Sequence, residues 1–501
     1  NKEFNEVHHV TALAGVEIRE NEFNGIYSEL YGYDDKSLAN TPVDWHTLSQ
    51  GQPGSLHPFI RSRKSPLERN SEVTNRYFSF YTNAAYTYNR KYSLTGSVRI
   101  DQTNLFGTDP KYQYRPLWSV GGSWLISGED FMDNTEWVNY LKLRTSYGVS
   151  GNVDQNTSPY LLASFTNDVI TGQQSTLINE APNPLLRWEK TTSHNIGVDF
   201  GLLNNRLNGS FDVYNKYSDD LLARQNFDPA LGFATGVVNN GAISNKGLEL
   251  RLSYDWIQNS DWKLKTNFTI ANNKNTVEEV DIEPNVAGDL LGNNDIYLEG
   301  NPLNSLYAYE YAGLTANGDP SIIDENGDVV DNVRVESIDA LKYMGQTDPK
   351  TTGSFQPIVS YKGFNLSALL VFYTGHVKRD RVTPLYEQLS GGNVHGDAVN
   401  AWTPTNTTTD IPRLGTHESN ASIRSGHWRN ADIHVIDADE FNLRNIVLSY
   451  RMPKEFTNKI KANSIKLNFQ VNNPWSSTKI TSNYISLPKT SSYVLGVNLS
   501  F

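Results

Sequence analysis

The chain has no cysteine. That removes disulfide staples, thiolate metal sites and a cysteine nucleophile together. Such an absence suits an oxidising compartment that avoids unpaired thiols, and it arises equally by chance. No run of about 18 apolar residues occurs, which excludes a helical membrane span. A membrane is not thereby excluded: a transmembrane β-barrel carries its hydrophobicity in every second residue, so its mean hydropathy stays as low as the -0.51 found here. Basic excess is missing too. The net charge is -12 and the pI is near 5.4, whereas nucleic-acid binding needs a cationic surface that displaces counterions. Catalytic motifs are also wanting. There is no G-x-S-x-G, no P-loop and no H-E-x-x-H, since His417-Glu418 lacks the second histidine. The loop carboxylates read as solvated acidic loops rather than glycosidase pairs, and nothing here points to an enzyme or to a cofactor.

Glycine and aromatic residues are abundant: 36 Gly, 27 Tyr and 10 Trp stand against 3 Met, with 20 % of residues charged. That balance favours many short strands joined by turns. Alternation of apolar and polar residues recurs in stretches close to the ~9 to 11 tilted residues that cross a bilayer. In KYSLTGSVRID, Tyr92, Leu94, Gly96, Val98 and Ile100 share one face, and Ser93, Thr95, Ser97, Arg99 and Asp101 the other. SIKLNFQVNN sets Ile465, Leu467, Phe469 and Val471 against Lys466, Asn468, Gln470 and Asn472, and DWKLKTNFTIA sets Trp262, Leu264, Phe268 and Ile270 against Lys263, Lys265, Asn267 and Thr269. A soluble sandwich alternates as well, so the connections must decide.

The pattern predicts fourteen strands, near 8–20, 74–88, 91–101, 115–126, 140–149, 192–203, 206–217, 243–257, 261–272, 352–361, 364–374, 440–451, 464–473 and 491–501. Their links alternate between short turns, such as Asn89-Arg90, Asn204-Asn205 and Lys362-Gly363, and long polar loops at 21–73, 102–114, 150–191, 218–242, 273–351, 375–439 and 474–490. Short turns on one rim and long loops on the other are the habit of outer-membrane barrels, with the long loops outside the cell. On this count the last strand runs toward the periplasm. The strand-like SLYAYEYAGL at 305–314 is placed inside the 273–351 loop, because a further crossing would invert every later loop. Tyr86, Tyr88, Tyr92, Trp124, Tyr214, Tyr217, Trp256, Trp262 and Tyr450 sit near strand ends, where interfacial girdles use rings with a polar tip.

Several stretches resemble one family, the SusC/RagA-like TonB-dependent transporters of the outer membrane. The resemblance is carried by NPLLRWEKTTSHNIGVDFGLLNNRLNGSFDVYNKYSDDLL at 183–222, NNGAISNKGLEL at 239–250 and YLKLRTSYGVSGN at 140–152. It continues in MGQTDPKTTGSFQPIVSYKGFNLSALLVFYTG at 344–375, AWTPTNTTTDIPRL at 401–414 and the closing YVLGVNLSF. The resemblance implies an all-β, transmembrane antiparallel β-barrel of the ~22-stranded, plugged type, of which about fourteen strands lie here. It further implies import of oligomeric nutrients, glycan or peptide, energised by TonB and assisted by a SusD-like surface lipoprotein that covers the barrel mouth. The N-terminal plug, the TonB-contacting segment and the first strands of the family pattern have no counterpart in this chain. Residues 1–501 are therefore expected to be the C-terminal portion of a longer barrel protein of the bacterial outer membrane, embedded in its lipid bilayer.

Substrate contacts are expected from loop aromatics that can stack on sugar faces or peptide side chains: Trp45, His46, Tyr386, Trp402, His427 and Trp428. Trp402 lies in a stretch that the resemblance covers, which favours a structural role for it. One metal-like stretch, DENGDVVDNVRVE at 324–336, puts Asp324, Asn326 and Asp328 at the first, third and fifth places of a calcium loop. Val329 replaces the turn glycine and Val335 the bidentate glutamate, so an acidic turn competes with a calcium site. In the last strand Tyr493, Leu495, Val497, Leu499 and Phe501 share one face. Family resemblance makes its aromatics, Tyr493 and Phe501, the signal for outer-membrane assembly. Two rival readings stand beside the importer: a passive porin or structural barrel, and a soluble surface β-protein that binds glycans.

Overall fold

The computed structural model describes residues 2–5, 7–28, 30–42, 44, 68–105, 114–154, 158–167, 173–228, 230, 232, 235–292, 296–380, 396–414, 421–459, 461–478 and 490–500. All fourteen expected strands form. In chain order the first ones are β1 (Lys2–Phe4), β2 (His8–Ser28), β3 (Glu68–Tyr88), β4 (Tyr92–Thr103), β5 (Pro116–Leu125) and β6 (Val138–Asn152). The pair β7 (Leu162–Asn167) and β8 (Gln174–Glu180) closes on itself, and the run resumes with β9 (Glu189–Leu202), β10 (Leu207–Asn226), β11 (Thr235–Gln258) and β12 (Trp262–Glu279). A long connection then holds β13 (Ser305–Tyr309), β14 (Tyr311–Leu314), β15 (Pro320–Ile323), β16 (Val329–Val330) and β17 (Leu341–Gln346). After β18 (Thr351–Tyr361) and β19 (Phe364–Thr374) come β20 (Val377–Arg379) and β21 (Val435–Asp437), followed by β22 (Glu440–Arg451), β23 (Ser464–Thr478) and β24 (Ser492–Ser500).

One sheet of fifteen strands runs β1-β2-β3-β4-β5-β6-β9-β10-β11-β12-β18-β19-β22-β23-β24, each strand antiparallel to the next. The fifteenth member is β1, whose three residues pair with β2; a segment that short carries too little alternation to be read from sequence. SLYAYEYAGL stays out of this sheet, as parity required, and forms β13 and β14.

Register sorts the side chains by chemistry. Leu143, Val198, Phe211, Leu250 and Ile270 lie opposite one another across β6, β9, β10, β11 and β12. Leu366, Leu448, Phe469 and Leu495 do the same across β19, β22, β23 and β24, and they remain 44 %, 42 %, 42 % and 80 % exposed. A continuous apolar face left open by the protein itself is the face that lipid covers in a barrel. The opposite face is polar and internally bonded. Arg144 Nε donates to Asp199 at 2.7 Å and Arg144 Nη2 reaches Asp212 at 3.2 Å. Arg99 meets Asp101, Glu17 and Ser79, and hydroxyl pairs such as Ser97 with Ser119 and Thr269 with Ser354 bridge neighbouring strands.

Aromatic pairs mark the short-turn rim: Tyr88 with Tyr92, Tyr92 with Trp124, Trp262 with Tyr361 and Phe364 with Tyr450, at ring distances of 6.4, 6.4, 4.2 and 4.3 Å. Tyr214 is not part of a girdle. It shares its face with Asp212 and donates its hydroxyl to Asn273. Two-residue turns need left-handed backbone at both central positions, and Lys362 (φ 43°) with Gly363 (φ 92°) supplies them.

The connection expected at 218–242 is corrected. β10 and β11 stay paired up to Asn226 and Thr235, leaving only 227–234 as the link. Register shifts between Ser218 and Leu221 and between Leu221 and Leu222 break the alternation, and Asp220 sits at φ 57°; a β-bulge of this kind hides a continuing strand from any period-two reading. The other long links tighten less: 29–67, 153–188 and 280–350 replace 21–73, 150–191 and 273–351.

If the apolar ladder faces hydrocarbon, Phe211→Arg at its middle will cost the folded barrel about 2 to 4 kcal/mol, while Asn215→Arg near the rim will cost about 0 to 1. Equilibrium unfolding of the full-length protein in lipid vesicles measures both; equal costs would remove the depth dependence on which this reading of the face rests.

Candidate functional site

Long polar loops do not normally carry apolar clusters, and SLYAYEYAGL is such a cluster. It folds a compact cap in which 280–350 and 375–439 take part together. β13 pairs with β17, β15 joins β14 to β16, and β20 pairs with β21. Tyr309 N–H donates to the Asn430 carbonyl at 2.9 Å, across the two connections. A small core of Ala287, Tyr309, Ile322, Val335 and Ala340 closes beneath Leu291, Val330 and Leu341.

The polar centre of the cap is Asp319, only 3 % exposed. Arg424 Nη1 lies 2.9 Å and Arg413 Nε 2.7 Å from its Oδ1, while Asn332 Nδ2 donates to its Oδ2 at 3.2 Å. The Arg424 side chain is fully buried. A guanidinium taken out of water must be paired, and here the partner comes from the other long connection. Arg379 makes a second cross-tie, donating to the carbonyls of Tyr307 at 2.6 Å and Arg429 at 3.0 Å.

Rings fill the space between these ties. Trp428 stands edge-on to His434 at 4.3 Å and to Tyr311 at 5.9 Å, and His427 edge-on to Tyr309 at 5.9 Å. His427 and Trp428 are 3 % and 6 % exposed, so the fold gives both a packing role. Burial lowers the pKa of His427. Burial first, then the nearby Arg379 guanidinium, hold His434 down at about 4, against the smaller opposing pull of Asp380 and Asp432. Burial raises the Tyr309 and Tyr311 hydroxyls to about 12.

Trp402 is half-buried, and its ring lies where a side chain at Gly318 would fall; that glycine has φ 76°. The Trp402 backbone N–H donates to the Ile411 carbonyl at 2.9 Å. Asp324 Oδ1 accepts from the N–H groups of Asn326 and Asp328, both at 2.9 Å, with Gly327 at φ 86°. These bonds, that from Asp328 foremost, lower the Asp324 pKa and make the stretch a tight acidic turn between β15 and β16. Tyr493 is the second residue of β24, 70 % exposed on the apolar face. Trp45, His46, Tyr386 and Phe501 lie outside the described residues.

Two of the family-like stretches meet in space on the long-loop side of the sheet. Arg187 N–H donates to Asn239 Oδ1 at 3.1 Å, Asn239 Nδ2 returns a bond to the Arg187 carbonyl at 3.0 Å, and Asn183 Nδ2 donates to the Val237 carbonyl at 3.0 Å. Asp220 accepts from both Arg187, at 2.6 Å, and Arg115, at 2.5 Å. No local pattern signals Asp319, Arg424 or Arg379, because their pairing depends on two loops meeting and not on any local period.

A family model described as "TonB dependent receptor-like, beta-barrel" matches residues 14–474. The TonB-dependent receptor P3 of Formosa agariphila is 26 % identical over 100 % of this chain and 51 % of its own length. The TonB-dependent receptor SusC of Bacteroides thetaiotaomicron is 28 % identical over 55 % of this chain and 28 % of its own. A chain of the structure described as the RagAB peptide importer in the "open-open" state superposes with a TM-score of 0.76 at 25 % identity, covering 99 % of this chain and 53 % of that one. The chain thus spans about half the length of the curated relatives it matches over 90 % or more of its extent.

Two outcomes follow for the cap. Asp319→Ala leaves Arg424 buried without its carboxylate and should cost about 3 to 5 kcal/mol of cap stability, seen as lost amide protection at Tyr309 and Ala431 in hydrogen exchange. For His434 the folded pKa of about 4 lies below the ordinary 6.5. Cap stability is therefore full above pH 6.5, declines as the pH falls from there toward about 4, and levels off below. Exchange rates corrected for intrinsic pH dependence should show that window, and His434→Phe should flatten it.

Proposed function

Because this chain belongs to the TonB-dependent receptor-like β-barrel family, a family of outer-membrane transporters and not of enzymes, we propose that the complete protein imports oligomeric nutrients across the outer membrane. Residues 1–501 form the C-terminal portion of its barrel, which closes with strands from the other half to about 22. The polar face of the sheet lines the lumen, a plug and TonB-contacting segment from that other half supply gating, and a SusD-like lipoprotein covers the mouth. No cofactor enters this reading.

The observation that carries it is the sorting of the sheet: one face apolar and exposed, the other built of ion pairs and hydroxyl ladders. An open sheet in lipid would leave two edges of unpaired backbone groups, each costing several kcal/mol, which supports a reading with further strands that close it. Both cargo classes stay in view. The likeness to the RagAB peptide importer supports oligopeptides, and oligosaccharides are the alternative. Of the loop aromatics, Trp45, His46 and Tyr386 are the proposed stacking contacts.

Uptake of fluorescent oligopeptides and oligosaccharides by cells carrying the full-length protein tests the proposal. One class should accumulate, and accumulation should stop when TonB coupling is abolished. Accumulation that survives the loss of TonB would make the protein a passive porin, and extraction of the protein in plain buffer would make it a soluble surface protein.

A further inference from the structure

The cap holds a cleft of 370 Å³ between the short helix Ala287–Leu291, the 334–336 segment and the helix Ala421–Arg429. That volume is at the small end of ligand pockets, with room for one or two residues of an oligomer. Its walls divide into two chemistries. Val286, Leu291 and Ile423 contribute apolar surface to the lining, and Arg334 and Arg429 contribute guanidinium groups. Glu336 is the acidic member, 3.9 Å from Arg334 in a loose and largely exposed pair. Arg429 has no carboxylate partner among the described residues. In a chain of net charge -12, a cleft with more cationic than anionic groups is a local reversal of sign.

We propose that this cleft binds the carboxy-terminal residue of a peptide cargo, its side chain on the apolar wall and its carboxylate between Arg334 and Arg429. Guanidinium groups match a carboxylate geometrically and bond it through charge-assisted N–H groups. The alternative of a neutral sugar would call for an open aromatic platform. Tyr309 is no such platform: its hydroxyl donates to the Val335 carbonyl at 3.0 Å, and its ring is edge-on to His427. The cationic wall is also held in place. The helix bearing Arg429 is pinned by buried Arg424 on Asp319, and the Arg429 carbonyl accepts from Arg379. A helix so fixed loses little backbone freedom when a ligand arrives.

This inference rests on the importer reading and narrows its cargo to peptides. The test is binding of a labelled hexapeptide ending in leucine, as free acid and as carboxamide, to the full-length transporter complex in detergent. The free acid should bind at least about tenfold more tightly than the amide. Arg334→Met with Arg429→Met should abolish that difference, free acid and amide then binding alike; both side chains are exposed, so the fold survives the change. Equal binding of acid and amide to the native protein would overturn the cleft, and if peptide uptake persisted the importer reading would stand without it. Binding of an acidic oligosaccharide and no peptide, lost in the double variant, would overturn the peptide class. Absence of TonB-dependent uptake of any oligomer would overturn the importer reading itself.

Discussion

Backbone hydrogen bonding in a solvent that offers none is the constraint from which the rest of this molecule follows. A strand crossing hydrocarbon must place every N–H and C=O on a neighbour. That is why the fourteen long strands pair in strict chain order, and why adjacent ones are linked by turns as tight as Lys362-Gly363. With the backbone committed, side chains have two directions left. One direction must be apolar for lipid, as with Leu366, Leu448, Phe469 and Leu495. Level with this ladder the charged groups take the other, where Arg144, Asp199 and Asp212 neutralise one another.

Beyond the membrane the same requirement is met by different means. A long connection has to satisfy its own polar groups, and the two longest ones here do so jointly. Small sheets satisfy the backbone, and Asp319 gives two guanidinium groups, those of Arg413 and Arg424, a carboxylate partner. Because Asp319 and Arg424 come from different connections, the cap cannot form from either alone. It is a cooperative unit standing on β12, β18, β19 and β22, which are consecutive in the sheet.

Much of the fold was legible because period-two alternation is a direct image of the lipid constraint. Legibility failed wherever that image was distorted. Bulges around Ser218 and Leu221 concealed the upper part of β10 and β11, β1 was too short to show a period, and Tyr214 belonged to the inner face although it sat near the apparent strand end. The candidate site was less legible still. His427 and Trp428 stand out in sequence as loop aromatics, yet their rings complete a buried cluster with Tyr309, Tyr311 and His434. Arg334 and Arg429 read as ordinary surface charges until the fold brings them to one cleft.

The attachment of the cap bears on what can move at the barrel mouth. Val277 N–H donates to the Asn301 carbonyl at 2.8 Å, and Leu303 N–H donates to Asn275 Oδ1 at 2.8 Å, so the first connection is tied to the end of β12. On the second, Gly375 N–H donates to Asp439 Oδ1 and Ala438 N–H to the His376 carbonyl. The first root is therefore bonded to the wall, and the second is closed by bonds between its own two ends. A cap tied in this way holds its cleft at a constant place above one arc of the sheet.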